Sequence, residues 1–349
     1  MTAALWPEVL GPLLRGDDLP DDLVAQAMTA ILSGEATDAQ IAGLGFGLRI
    51  KGETPRELAT LARTLLAFAD RVDVADLGDA PVDTCGTGGD RAGTVNVSTM
   101  AALVTAATGV PVAKHGGRAA SSRCGSTDVL EALGVVVDLG PAGVARCIRE
   151  AGIGFCFAGR YHPAWRYVVP VRRELGVPTT FNFLGPLANP AGVRRQVIGV
   201  ADPAMATRVV GALRDLGATR ALVFYGHDGL DELTVTTTST VHELRDGDVS
   251  VYDVDPTDFG MPLAAPGALA GGDAAGNAEV VHKVLGGASG PIRDIVVLNS
   301  AAALLVGDRV ADLAEGVELA ASVLDDGRAA ATLDAFVRVS VAAREAGDG

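Results

Sequence analysis

The chain has 349 residues, 48% of them hydrophobic, and a formal net charge of −15. That length supports one large domain with a small one, or two medium ones, and the acidity argues against a nucleic-acid binder, which would present a basic surface. No uncharged apolar run reaches the roughly 18 to 20 residues of a membrane span, and the N-terminus lacks a basic leader region, so a cytoplasmic protein without membrane association is expected.

Residues 1 to about 72 read as helices, because apolar residues recur at helical spacing in "LVAQAMTAILSG", "AQIAGLGFGLRI" and "ELATLARTLLAFAD". Thr37 with Gln40, and Thr54 with Pro55 and Glu57, have the pattern of capping boxes. From about residue 80, short β-rich runs alternate with helical stretches: "VPVA", "GVVVDL", "IGFCFA", "RQVIGVA" and "RALVFYG". This alternation predicts an α/β fold with a mostly parallel central sheet and helices around it. The segment "GRYHPAWRYVVPVRRELGVPTTFNFLGPLANPAG" is too long for an ordinary connection, and its helices are expected to be broken at Pro163, Pro170 and Pro178. It is expected to leave the sheet, pack on the N-terminal helices and return. "TVHELRDGDVSVYDV" predicts a hairpin around Asp246-Gly247, and from 272 onward the chain reads as helices again.

Four cysteines, Cys85, Cys124, Cys147 and Cys156, form no C-x-x-C pair and are read as free thiols. No H-x-x-x-H pair or G-x-S-x-G elbow is present, which argues against zinc chemistry and hydrolytic triads. Three other clusters carry chemistry. In "VDTCGTGGDRAGTVNVSTMAA", Gly86, Gly88 and Gly89 are expected to adopt positive φ and bring backbone N–H groups to an anion, with Asn96, Ser98 and Thr99 at a helix mouth suited to phosphate. After "VPVA", the loop from Lys114 to Ser122 carries cations and hydroxyls, and no acid stands between Gly109 and Thr127. Asp231-Glu232, just past "ALVFYG", suits a hard cation such as Mg²⁺ in an exposed cleft loop. Two phosphate-type loops, a carboxylate pair and no evident nucleophile suggest transfer from a phosphorylated donor, with charge stabilisation as the main device.

"GTGGDRAGTVNVSTMAA", "KHGGRAASSRCGSTDVLEALG", "YHPAWRYVVPVRRELGVPTTFNFLGPLANP", "DGLDELT" and "GGDAAGNAEVVHKVLGG" resemble, in the same order, segments of anthranilate phosphoribosyltransferases of tryptophan biosynthesis. The resemblance spans nearly the whole chain. It implies a homodimer formed through a small all-helical domain, residues 1–75 joined by the excursion 160–190, with a larger α/β domain, residues 76–349. It implies that 5-phosphoribosyl 1-diphosphate is held by Gly86, Gly89, Asp90, Thr94, Asn96, Val97, Ser98 and Thr99, by Lys114, His115, Gly116, Gly117, Arg118, Ala119, Ala120, Ser121 and Ser122, and by Ser126. Two Mg²⁺ ions would lie on Ser98, Asp231 and Glu232, and the aromatic acid near Gly86, His115, Gly117 and Arg172. No catalytic side chain is singled out beyond the electrostatic roles of Lys114 and Arg118.

Two positions depart from the family pattern. The family usually reads K-H-G-N-R where this chain has Gly117, and commonly has proline where this chain has Gly159. Both lie on the acceptor side, and a lost hydrogen-bonding side chain can be worth orders of magnitude in selectivity. They raise the alternative of another aromatic acid, a substituted aminobenzoate or a hydroxybenzoate, as acceptor. More distant alternatives are a pyrimidine nucleoside phosphorylase and a non-catalytic nucleic-acid-binding relative.

Overall fold

The structure is a computed structural model that describes residues 2–90, 92–118 and 123–348. The chain opens with four helices, α1 (Thr2–Arg15), α2 (Asp21–Leu32), α3 (Asp38–Lys51) and α4 (Pro55–Ala67). Both expected capping boxes form, at Thr37/Gln40 and Thr54/Glu57. Glu57 also accepts the Leu19 N–H at 2.9 Å and pairs with Lys51 at 2.9 Å, so one buried carboxylate ties the entry to α2 onto α4.

The second part contains β1 (Val82–Gly86), α5 (Val97–Ala106), β2 (Val112–Gly116), α6 (Ser126–Ala132), α7 (Pro141–Ala151) and β3 (Ile153–Phe157). An excursion with α8 (Ala158–Tyr161), α9 (Val169–Leu175) and α10 (Leu184–Leu187) follows, and the chain returns as β4 (Arg195–Gly199), α11 (Pro203–Asp215), β5 (Arg220–Gly226), β6 (Ser239–Arg245) and β7 (Asp248–Val254). It ends with α12 (Ala274–Leu285), α13 (Pro291–Val306), α14 (Leu313–Asp325) and α15 (Arg328–Glu345).

The strands form one sheet in the order β3-β2-β1-β4-β5-β6-β7, parallel through β5 and antiparallel beyond it. The β6–β7 turn has Asp246 at φ 52° and Gly247 at φ 94°, the two positive values that a tight two-residue hairpin needs. Period-two alternation splits the core between the faces. Val197, Leu222 and Phe224 join the cluster containing α5 and α13, whereas Ile198, Ala221 and Val223 join the one containing α2, α4 and α11. Successive crossovers run from β1 toward β3 on one side and from β4 toward β5 on the other. The chain therefore changes direction between β1 and β4, and a crevice at the C-terminal ends of these strands is where such sheets bind ligands.

Two expectations need correction. "GVVVDL" is not a strand: Val135, Val136 and Val137 are buried, but the Val135 N–H bonds the Leu130 carbonyl and the Val136 N–H bonds Ser340 Oγ on α15. Burial against helices produces the same apolar run that a central strand would. Pro163 follows the end of α8 and opens a short 3-10 helix, and Pro178 follows the end of α9, as expected of breaks, but Pro170 does not break a helix: it stands in the first turn of α9, where a missing N–H costs nothing. The excursion packs on the N-terminal helices as expected, α9 on α3 and α10 on α4. Thr180 Oγ1 donates to buried Glu53 at 2.6 Å and lies 3.1 Å from the Gly45 carbonyl. Glu53 also pairs with Arg208 of α11 at 3.1 Å, so it joins the helical part, the excursion and the α/β part. No helix among the described residues is long and apolar enough to cross a membrane, and among the described residues the four cysteines form no disulfide.

Candidate active site

Gly86 and Gly199 end β1 and β4 and stand side by side in the parallel register, at the point where the strand order reverses. Both face Asp231. A Cβ on Gly86 would overlap the Asp231 carboxylate, and one on Gly199 would overlap the Asp231 backbone carbonyl. Gly86 is therefore required by close approach and not, as its sequence suggested, by positive φ. Gly88 and Gly89 do take positive φ, 67° and 89°, and the Gly88 N–H donates to Asp231 Oδ2 at 2.7 Å.

Asp231 is buried, which corrects the expectation of an exposed loop; Glu232 beside it is half-buried. Burial, followed by the charge of Asp90, pushes the Asp231 carboxyl above the usual range, and burial with the charge of Asp231 does the same to Glu232. The Ser98 N–H, in the first turn of α5, faces the Glu232 carboxylate. Crowded acids in a low-dielectric crevice at a helix N-terminus form a site whose charge a hard cation would balance. Among the described residues no group of three or more His, Cys, Asp and Glu surrounds one point. The protein thus offers Asp231, Glu232 and the Ser98 hydroxyl, and phosphate oxygens and waters would complete the shell. This donor set fits Mg²⁺, which keeps waters and bridges to phosphate.

Lys114 is not in the loop after β2 but inside the strand, 2% exposed. Its Nζ donates to the Thr84 carbonyl at 2.5 Å and to Ser98 Oγ at 3.3 Å, and burial holds its pKa below the usual value. It is a fixed cation beneath the carboxylates. Asp83, fully buried, accepts the His115 N–H at 2.9 Å and an Asn189 N–H at 2.8 Å, which locks β1, β2 and the returning excursion together. His115 Nδ1 lies 3.0 Å from the Gly185 carbonyl, its Nε2 is buried without a partner among the described residues, and burial pushes its pKa down to about 3. The His162 ring packs edge-on against it at 5.2 Å.

The remaining residues divide by what their side chains already do. Asn96 is spent on neighbours: its amide donates to the Cys124 carbonyl at 3.1 Å and accepts from Asn277 of α12 at 2.9 Å. Val97 is buried in the core and its N–H bonds the Val95 carbonyl, so neither group faces the crevice as a donor. Thr99 is buried, its hydroxyl without a partner among the described residues. Thr94 bridges to Ala270, and the Asp90 carboxylate accepts the Ala92 N–H at 3.2 Å.

Gly116 admits no side chain, because a Cβ there would strike Ser126 Oγ and the Phe155 ring, whereas among the described residues a Cβ on Gly117 would meet only Ala158, at 3.9 Å. Ser126 Oγ donates to the Gly117 carbonyl at 3.3 Å. Arg118 is forked onto Glu131 at 2.7 and 2.8 Å, bonds Asp128 at 3.0 Å, and lies over the Phe157 ring. The acid-free loop therefore meets acids from α6 in space. Ala119, Ala120, Ser121 and Ser122 lie outside the described residues. On α9, Arg172 is half-buried without a carboxylate partner among the described residues, and burial alone lowers its pKa.

Residues 7–69 match a family described as "Glycosyl transferase family, helical bundle domain", and residues 78–330 match "Glycosyl transferase family, a/b domain". The anthranilate phosphoribosyltransferase of Acidothermus cellulolyticus is 55% identical over 97% of this chain and 96% of its own. This chain belongs to the anthranilate phosphoribosyltransferase family. Among solved structures, the Thermus thermophilus anthranilate phosphoribosyltransferase superposes with a TM-score of 0.90 at 41% identity, covering 96% of this chain and 99% of that one. The Saccharomyces cerevisiae enzyme in complex with PRPP and Mg gives 0.88 at 25% identity, covering 98% and 99%.

As a member of this family the chain shows features that its motifs did not announce. Gly199 is one, although a glycine closing a β-run is a signal of close backbone approach. Another is Asn299, 2% exposed within the otherwise apolar "IVVLNSAAALLV" of α13, where a buried polar residue asks for a partner.

Proposed function

We propose that this protein transfers the phosphoribosyl group of 5-phosphoribosyl 1-diphosphate to the amino nitrogen of anthranilate in a Mg²⁺-dependent reaction, releasing diphosphate. The observation that carries this reading is the crowded Asp231-Glu232 pair held against the Gly88 and Ser98 N–H groups at the sheet's switch point. The alternative acceptors raised by Gly117 and Gly159 are not favoured, because relatives about half identical over nearly the full chain carry the anthranilate name.

Asp231, Glu232 and Ser98 would hold two Mg²⁺ ions, which when bound neutralise charge on the departing diphosphate. The turn at Gly86, Gly88, Gly89 and Asp90 with Thr94, the α5 N-terminus at Asn96 to Thr99, where Asn96 and Val97 shape the wall and do not donate, and the segment from Lys114 to Ser122 with Ser126 would form the cradle for 5-phosphoribosyl 1-diphosphate. The Thr99 hydroxyl and the backbone N–H groups supply donors, and Lys114 supplies buried positive charge. Arg172, without a carboxylate partner among the described residues, offers a cation for the aromatic carboxylate, with the neutral His115 ring and Gly117 beside the acceptor. As the C1–O bond breaks, its electron pair leaves with diphosphate; the nitrogen lone pair forms the new C1–N bond and one N–H proton is lost. A neutral arylamine needs no strong base, so the protein's work is positioning and charge stabilisation.

The proposed division falls at about residue 75, with excursion 160–190 on the helical part; its Ala164, Val168, Val171, Phe181 and Phe183 share a core with α1 to α4, although that core also takes in α11 and one face of β4 and β5. A homodimer through the helical part fits the exposed Leu14, Phe46, Ile50, Val169 and Val177 on α1, α3, α9 and the turn after α9. Loss of anthranilate fluorescence on adding 5-phosphoribosyl 1-diphosphate and Mg²⁺ tests the activity. Asp231→Ala with Glu232→Ala should abolish it without unfolding the chain; full turnover in that variant removes the metal assignment.

A further inference from the structure

Asn299 sits in α13, which is buried from Ile295 to Val306. Its Nδ2 donates to the Ile295 carbonyl at 2.8 Å, a bond that only serves its own helix. The other two bonds do something else. Oδ1 accepts the Leu233 N–H at 3.0 Å and Nδ2 donates to the Leu233 carbonyl at 2.9 Å, so a side chain 66 positions away closes on both polar groups of one residue.

Leu233 directly follows Glu232, and neither its N–H nor its carbonyl has a backbone partner among the described residues. The segment from Asp231 to Thr238 lies in no helix or strand. On the Asp231 side it is pinned by Gly86, Gly199 and the Gly88 N–H. On the other side the buried Leu233 side chain fixes where the backbone lies, but an apolar contact leaves rotation of the flanking peptides open. A two-point amide bond closes that freedom.

We infer that Asn299 is a positioning residue for the metal site: its amide clamps Leu233 and thereby sets the Glu232 carboxylate relative to Asp231. The inference rests on the proposal that these carboxylates hold the metal. Groups that orient metal ligands from behind typically cost about 10- to 100-fold in metal affinity or activity when removed.

Neighbouring Ser300 supplies a control. It is fully buried on the same helix, but its hydroxyl bonds only the Val296 carbonyl, at 2.6 Å. The test is Mn²⁺ binding by electron paramagnetic resonance in the presence of 5-phosphoribosyl 1-diphosphate, together with the Mg²⁺ concentration for half-maximal turnover. Asn299→Ala should raise both by about tenfold or more, Asn299→Ser should fall between it and the parent, and Ser300→Ala should leave both unchanged even where it lowers the melting temperature. Metal responses within about twofold of the parent in folded Asn299→Ala overturn the inference; if that variant does not fold, the same outcome in Asn299→Ser does. Asp231→Asn with Glu232→Gln separates the two layers. Undiminished Mn²⁺ binding there overturns the metal assignment and the inference with it, whereas lost binding there beside intact Asn299 variants overturns the inference alone.

Discussion

Gly199→Ala perturbs the site through a single methyl group. The new Cβ would sit inside the Asp231 carbonyl and 3.2 Å from its Cα, where a carbon and a carbonyl oxygen normally keep roughly 3.3 Å or more. The obstacle is backbone, so no rotamer change relieves it, and the loop must retreat by on the order of 1 Å. That retreat pulls Asp231 Oδ2 from the Gly88 N–H, now 2.7 Å away. A misplacement of about 1 Å at reacting groups can cost about 100-fold, equivalent to about 2.7 kcal/mol in kcat/KM. The overpacking itself should cost about 1–3 kcal/mol of stability. Initial rates from anthranilate fluorescence across a Mg²⁺ series, beside urea unfolding, separate the two effects. Kinetics within about threefold of the parent in a folded Gly199→Ala protein would refute the close-approach reasoning.

Gly117→Ala is the contrasting case: among the described residues its Cβ meets only ordinary contact with Ala158, so stability should change by no more than about 0.5 kcal/mol, and a larger loss in urea melts would show that the loop is tighter than the geometry implies. Among the described residues, Glu53→Ala takes the carboxylate partner from Arg208, leaves Arg49 with the Asp202 carboxylate alone and Thr180 with the Gly45 carbonyl alone; since both arginines keep some solvent contact, about 3 kcal/mol should be lost, the low end for a broken buried pair, and a loss under about 1 kcal/mol would contradict it. His162, 4% exposed, has its pKa pushed down to about 4 mainly by burial. The unfolded chain then binds the proton first, so this residue's contribution is lost as pH falls below about 6.5, by about 2 kcal/mol between pH 7 and pH 5. The raised carboxyls of Asp231 and Glu232 act in the opposite direction, so the measurement is the difference between the parent and His162→Gln. An identical pH dependence in the two proteins counts against the buried neutral histidine.

Local chemistry was legible in the sequence wherever a few neighbouring residues decide the outcome. The capping boxes at Thr37 and Thr54, the hairpin at Asp246-Gly247 and the positive φ of Gly88 and Gly89 each depend on a turn or two of chain, and the motif order carried the family. Apolar runs were less decisive, since Val135 to Val137 are buried by α15 and not by a strand. What only the tertiary structure decided is which side chains converge. Lys114 reads as a loop cation but the β2 register puts it beneath the carboxylates; Arg118 reads as free but meets Glu131 and Asp128 on the next helix. Gly199 and Asn299 act on Asp231 and Leu233 across gaps of 32 and 66 residues. Periodicity and turn chemistry record local conformation, whereas such meetings depend on strand order and helix packing, which no stretch of sequence holds by itself.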